Sequence, residues 1–244
     1  MRALFSSCLA VALALCAPAA PAPADPARVV LQGTQNSRDL GGIRAADGRV
    51  VKHGVVYRSD SLGALSASGL ADMARLGVRQ DDDLRTDKER ADVPDRLPEG
   101  VERNVRQVFS QADFARFRTG EDQFYRAFVS FQDAREAVAQ VLKDIEHGPD
   151  AVLYHCSAGQ DRTGWVTAVL LTLLGVPREA VNADYLLSNE YHQAAGSSMR
   201  VGLGDLDSAF AEADQEYGSF GGFARDGLGL GDDDIAALKA KLLE

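Results

Sequence analysis

The stretch "AVLYHCSAGQDRTGWVTAVLL", Ala151 to Leu171, decides the reading of this chain. Its first five residues are apolar or aromatic and β-prone, so they predict a short buried strand. From Thr163 to Gly175 the pattern is apolar nearly all round, which predicts a helix buried on every side. Between strand and helix lies a tight loop carrying Cys156, Gly159 and Arg162.

That order has a chemical consequence. A helix N-terminus presents unpaired N–H groups and partial positive charge, and so attracts anions. Residues 157–162 curling around one point aim their amides at a common centre, and glycine at Gly159 permits the turn. Arg162 adds a planar fork suited to two phosphate oxygens. The same field favours the thiolate form of a cysteine. One loop thus binds a phosphate dianion and supplies an attacking sulfur, Cys156. Ser157, Ala158, Gly159, Gln160 and Thr163 complete the phosphate-binding set, with the Thr163 hydroxyl expected to bond the sulfur and His155 to orient the loop. A cysteinyl-phosphate would form and be hydrolysed, with a carboxyl group moving the proton. Amides and Arg162 stabilise the charge, so no metal or cofactor is called for.

Outward from the loop, the chain has 244 residues, enough for one compact unit with a real core. The formal charge of −10 argues against nucleic acid as a partner, so an anionic substrate must be drawn by a local cationic pocket. Residues 1–24, with Arg2, an apolar run from Ala3 to Leu15 and a small, proline-rich end, have the build of a signal peptide. Ala22-Pro23-Ala24 fits a cleavage site ahead of Asp25, and Ala17-Pro18-Ala19 competes with it. An exported chain, periplasmic or secreted, follows, with residues 25–244 as one domain. Cleavage would remove Cys8 and Cys16 and leave Cys156 without a thiol partner, so no disulfide framework is expected. The apolar run is too short to span a bilayer, and no stable membrane insertion of the mature chain is expected.

Residues 25–35 read as a loose lead-in. "IRAADGRVVKHGVVYRS" reads as short strands around an Asp47-Gly48 turn, and "LSASGLADMARLG" as a helix capped at Ser66 or Ser68 and stopped at Gly77. "VRQDDDLR" takes the next strand by position, although three consecutive aspartates are poor strand formers. Asp81 and Asp82 are then either solvated at a sheet edge or shape the site entrance. The aromatic run Phe114 to Phe131 reads as helical, forming ordinary core or a lid. "DAREAVAQVLKDIEHG" is amphipathic, with Val138, Val141, Leu142 and Ile145 on one face. "PREAVNADYLLSNEYH" is a helix opened by proline. The tail from Gly196 to Gly231 is glycine-rich, and "DDDIAALKAKLLE" closes the chain as a helix with aspartates at its start. His53, His147 and His192 lack paired metal spacing.

"HCSAGQDRTG" resembles the phosphate loop of the cysteine-based protein-tyrosine and dual-specificity phosphatases, most of all the bacterial branch containing the secreted mycobacterial tyrosine phosphatase B. "NSRDLGGIRAADGRVVKHGVVYRSDSL", Asn36 to Leu62, and "DLRTDKER", Asp83 to Arg90, are similar to further motifs of that branch. The resemblance implies an α/β fold, a central mainly parallel sheet flanked by helices on both faces. It implies Cys156 as nucleophile, Arg162 as phosphate clamp, and either Asp161 or Asp83 as general acid, with Asp161 preferred. Asp83 would otherwise pair with Arg85 or Arg38. It implies a phosphorylated protein as substrate, with a phospholipid or inositol phosphate as the alternative. Lysine is common in that branch where this chain has Gln160, and the lost charge points towards phosphotyrosine. A phosphate-binding module without catalysis would normally lack the cysteine or the arginine. A sulfur transferase would not need C-x5-R-T-G, and neither a G-x-S-x-G elbow nor a G-K-[ST] loop occurs.

Overall fold

A computed structural model describes residues 28–117, 121–148 and 151–244. The signal-peptide reading falls outside these residues. Five strands form one sheet: β1 (Arg38–Asp39), β2 (Val56–Ser59), β3 (Val78–Asp83), β4 (Glu102–Val105) and β5 (Ala151–His155), in the order β1-β2-β5-β3-β4. Only β1 runs antiparallel to its neighbour. β5, the strand leading into the cysteine loop, is central and entirely buried.

Alternation along β5 divides the core. Val152 and Tyr154 join the larger cluster, whereas Ala151 and Leu153 join a smaller one with Leu31, Leu65 and Met73. Helix α1 (Ala67–Arg75) covers the smaller side through Met73. Its N-cap is Ser66, whose hydroxyl accepts from Gly69 N, and Gly77 just beyond its end has φ +74°. The larger side is covered by α4 (Glu121–Ser130), α5 (Gln132–His147), α6 (Asp161–Leu173) and α8 (Leu203–Tyr217). The expected face of α5 is the buried one, and α6 is buried almost throughout. Helices thus flank both faces, as the resemblance implies.

The remaining helices are α2 (Asp87–Asp92), α3 (Gln111–Phe117), α7 (Arg178–Ala194), the single turn α9 (Phe220–Gly222) with a π-turn after it (Phe223–Gly227), and α10 (Asp232–Leu242). Among the described residues, no helix is long and apolar enough to cross a membrane.

Several expectations change. The aspartate-rich segment is a strand, but an internal one, and Asp81, Asp82 and Asp83 are all fully buried. They are neither solvated at an edge nor part of an entrance: Arg85 pairs with Asp83, His155 lies against Asp81, and Gln80 and Asn104 donate to Asp82. Residues 28–35 are not a loose lead-in: Arg28 bridges Arg38, Leu31 is buried, and Asp60 accepts from Gln35 N. The Asp47-Gly48 turn joins an antiparallel bridge between Arg44 and Val50, with Gly48 at φ +92°. Within the glycine-rich tail, α8 runs for 15 residues and buries Leu206, Ala209, Phe210 and Ala213. The aromatic run falls mainly in two helices, α3 and α4; Phe124 and Phe128 of α4 pack against each other and against Phe109, which precedes α3, and Phe128 stacks on Trp165.

Candidate active site

The loop from Cys156 to Gln160 joins the C-terminal end of β5 to the N-terminus of α6. Its backbone is held from behind, one carbonyl at a time. His155 Nδ1 lies 3.1 Å from Cys156 O. Ser61 N donates to Ser157 O at 3.2 Å. His192 Nε2 and Asn36 Nδ2 donate to Ala158 O at 2.8 and 3.1 Å. Asn36 Nδ2 also reaches Gly159 O at 3.0 Å, and an Arg58 N–H joins it there. In a trans peptide the N–H points opposite to the C=O, and the described chain has no cis bonds. Drawing four successive carbonyls into the scaffold therefore turns the amides of residues 157–160 the other way. Gln160 O accepts from Gly164 N as the first turn of α6 closes, which leaves that helix's opening amides at the same mouth.

Gly159 is indispensable to this path. Its φ is +67°, and a Cβ there would lie 2.7 Å from Ser59 O and 2.9 Å from Asp60 N. Gly164 serves differently, since a Cβ would meet the Tyr185 ring at 3.0 Å.

The scaffold behind the loop is ionic. Asp184 accepts from Arg38 Nε at 2.8 Å and from Arg58 NH1 at 3.0 Å, with all three side chains buried. Burial, then the neighbouring Arg38, brings Arg58 down to about 10, while Asp184 holds it charged. Arg38 also donates to Asn36 Oδ1 at 2.6 Å, which orients the amide that holds the loop.

In front of the loop lies a cavity of about 430 Å³. Cys156, Ser157, Ala158, Gln160, Asp161 and Arg162 line it, and Cys156 is only 2% exposed. Phe114, Phe124 and Tyr125 form one wall, while Met199, Arg200 and Val201 lie at another. The Arg162 guanidinium and that of Arg58 are both within electrostatic reach of the Cys156 sulfur. The guanidinium of Arg162 sits 4.5 Å from the centre of the Phe114 ring.

Glu89 on α2 fixes that guanidinium. Its two carboxylate oxygens accept from Arg162 NH1 and NH2 at 2.6 and 2.7 Å, and one also accepts from Ser157 Oγ at 2.6 Å. Burial works against its charge, but Arg162, Ser157 and the Thr86 amide outweigh that and hold it at about 2. The sequence reading missed Glu89 as a site residue. A signal was present, since Thr86 and Glu89 form a capping box that turns the carboxylate back toward the loop.

The two candidate acids part company. Asp161 opens α6, lines the cavity, and accepts from Tyr125 Oη at 2.6 Å. Asp83 is fully buried and is not among the residues lining the cavity. Arg85 binds it through Nε at 2.9 Å and NH2 at 2.8 Å. Burial raises the Asp83 carboxyl, yet Arg85 and then His155 hold it below the usual range. Of its two expected ion partners it takes Arg85. The bond expected between Thr163 and the sulfur is not made: Thr163 Oγ1 is buried without a hydrogen-bond partner.

His155 supports the loop from below. Its Nε2 lies 3.3 Å from Asp81 Oδ1 and 3.5 Å from Asp95 Oδ2. Burial disfavours its charge, but Asp81 first, with Asp95 and Asp83, holds the imidazole well above its ordinary range. Asp81, Asp95 and His155 have the spacing of a metal ligand set. Both ring nitrogens face acceptors, Nδ1 the Cys156 carbonyl and Nε2 the two carboxylates, so the set reads as an ion-pair cluster.

Comparison with known proteins places the chain among phosphatases. A profile described as the tyrosine phosphatase family matches residues 29–244. A Cupriavidus necator protein bearing a tyrosine-protein phosphatase name is 30% identical, over 91% of this chain and 93% of that one. The triple specificity protein phosphatase PtpB of Mycobacterium tuberculosis is 30% identical, over 66% and 68%. A tyrosine-protein phosphatase of Nostoc commune is 28% identical, over 76% and 73%.

Proposed function

The chain belongs to the tyrosine phosphatase family, and on that premise we propose that it hydrolyses phosphotyrosine monoesters through a cysteinyl-phosphate on Cys156. The observation that carries the proposal is the loop itself, with four carbonyls pulled back and Cys156 and Arg162 lining one cavity. Amides turned to a common mouth match the oxygens of a phosphoryl group, and Arg162 neutralises charge as the bond to phosphorus forms.

The Cys156 sulfur attacks phosphorus; the S–P bond forms and the bond to the phenolic oxygen breaks. Asp161 gives its proton to the departing oxygen. Water then attacks phosphorus, Asp161 takes a proton from it, the S–P bond breaks, and phosphate leaves. Phe114 and Phe124 offer the aromatic ring an apolar wall.

A second reading, a phosphoinositide or inositol-phosphate substrate, is favoured by one observation, Arg200 at the cavity edge as a second cation beyond Arg162. Gln160, uncharged where that branch commonly has lysine, weighs against it. Phosphate release from a phosphotyrosine peptide and from a phosphoinositide, measured side by side, separates the two. The first reading expects the peptide to win by at least about tenfold in kcat/KM, roughly 1.4 kcal/mol in transition-state binding; faster release from the lipid overturns it.

We also propose export, on the strength of residues 1–24. Recovery of the expressed protein outside the cytoplasm with Asp25 as first residue is the expected result. Retention of the full N-terminus inside the cell contradicts it.

A further inference from the structure

Asp161 does not stand alone at the head of α6. Its Oδ1 accepts from Tyr125 Oη at 2.6 Å, and Tyr125 Oη lies 2.6 Å from Tyr185 Oη. Tyr125 comes from α4 and Tyr185 from α7, so three elements meet at this carboxylate. Both rings are buried, and they meet edge to face with centres 6.4 Å apart. We infer that Tyr125 is a positioning residue for the general acid, held in turn by Tyr185, and that this pair decides which carboxyl oxygen of Asp161 carries the transferred proton.

The direction of the chain follows from counting protons. An ionised carboxylate only accepts, so the single phenolic proton of Tyr125 goes to Asp161 Oδ1. Tyr125 then has lone pairs left and no proton, so Tyr185 must donate to it. Burial, then the charge of Asp161, holds the Tyr125 phenol well above its ordinary range. Burial does the same for Tyr185. Both therefore remain donors at any working pH. When Asp161 is protonated, an acceptor bond at Oδ1 places the acid proton on Oδ2, so the proton leaves from one defined oxygen. The packing shows why the arrangement is tight: Gly164, on the first turn of α6, leaves the space that the Tyr185 ring fills.

The inference rests on Asp161 being the acid. The experiment must therefore separate its failure from the failure of that assignment. Steady-state rates are measured for Tyr125→Phe and Asp161→Asn on two aryl phosphates, 4-nitrophenyl phosphate, whose leaving group needs little protonation, and phenyl phosphate, whose leaving group needs it fully. General-acid assistance is worth about a hundredfold or more. Asp161→Asn should therefore lose about a hundredfold in kcat on phenyl phosphate and far less on the nitrophenyl ester. Tyr125→Phe should show the same selectivity at smaller scale, about tenfold against under threefold, with KM unchanged. Tyr185→Phe should repeat the pattern more weakly, and it serves as the second variant if Tyr125→Phe proves unfolded by thermal melting. Equal losses on both esters in the folded tyrosine variants, or no loss, overturn the positioning role while a selective Asp161→Asn leaves the acid in place. A non-selective Asp161→Asn overturns the acid assignment and the inference with it.

Discussion

Replacing Gly159 by alanine tests the loop at its tightest point. The residue sits at φ +67°, a conformation that costs an alanine about 1–2 kcal/mol. Space is the larger problem. The new Cβ would lie 2.7 Å from Ser59 O, 2.9 Å from Ser59 C and 2.9 Å from Asp60 N, all backbone atoms. Ser59 ends β2 and is paired with His155 of central β5, so the strand cannot retreat. The loop must give way instead, by roughly half an ångström or more. That movement strains the bonds from Asn36 and Arg58 to Gly159 O, each worth about 1 kcal/mol. The stability loss should therefore come to roughly 3–4 kcal/mol. The peptide between Gly159 and Gln160 turns with the carbonyl, so one amide donor leaves the anion site. Loss of one such donor costs about a hundredfold or more in kcat. Denaturant unfolding and the hydrolysis of an aryl phosphate measure the two effects separately. A Gly159→Ala protein within about 1 kcal/mol of the parent and within threefold in kcat would refute the geometry.

Glu89→Gln keeps the shape of the brace but offers Arg162 one acceptor where there were two, so kcat/KM should fall about tenfold or more. Tighter phosphate inhibition with kcat unchanged would show instead that Glu89 competes with substrate for Arg162. Asp184→Asn leaves two fully buried arginines short of their counter-ion, and should cost about 3–5 kcal/mol in denaturant unfolding; a neutral effect would remove the ionic scaffold from the account. Asp82 is raised to about 7, first by burial and then by Asp144, against roughly 3.9 in the unfolded chain. Between those values the folded state holds a proton that the unfolded state has lost, so stability falls as pH rises from about 4 to about 7. Asp82→Asn should then unfold later than the parent at pH 8, by on the order of 4 kcal/mol, and lose that advantage near pH 4. An advantage independent of pH would contradict the buried, raised carboxyl.

The parts of this fold written locally were the parts legible in the sequence. A strand, a tight loop and an apolar helix follow one another from Ala151 to Leu173, and each is dictated by its own residues. Three aspartates in an internal strand were not legible as such, because the groups that meet them come from elsewhere: His155 lies far along the chain from Asp81, and Asn104 reaches Asp82 from β4. The same limit hid most of the site's supports. Asn36, Arg58, Asp184 and His192 converge on the loop only once β2 and α7 have packed against it. Glu89 was half legible, since the capping box gives its direction but not its partner. Asp83 and Asp161 both stood as candidate acids, with Asp161 only preferred, because sequence gives no cavity. The structure gives one to Asp161 and an arginine to Asp83. Helix α8 was masked by the glycines around it, although Leu206, Phe210 and Ala213 recur at helical spacing.

In the proposed reaction the sulfur of Cys156 carries the phosphoryl group between substrate and water. Acid-quenching the enzyme during turnover of an aryl phosphate, followed by intact and peptide mass spectrometry, reads this directly. A single phosphoryl adduct mapped to Cys156 is expected, absent from Cys156→Ser, which should also be folded and inactive. An adduct on another residue, or a Cys156→Ser protein that still turns over at the parent rate, would contradict it.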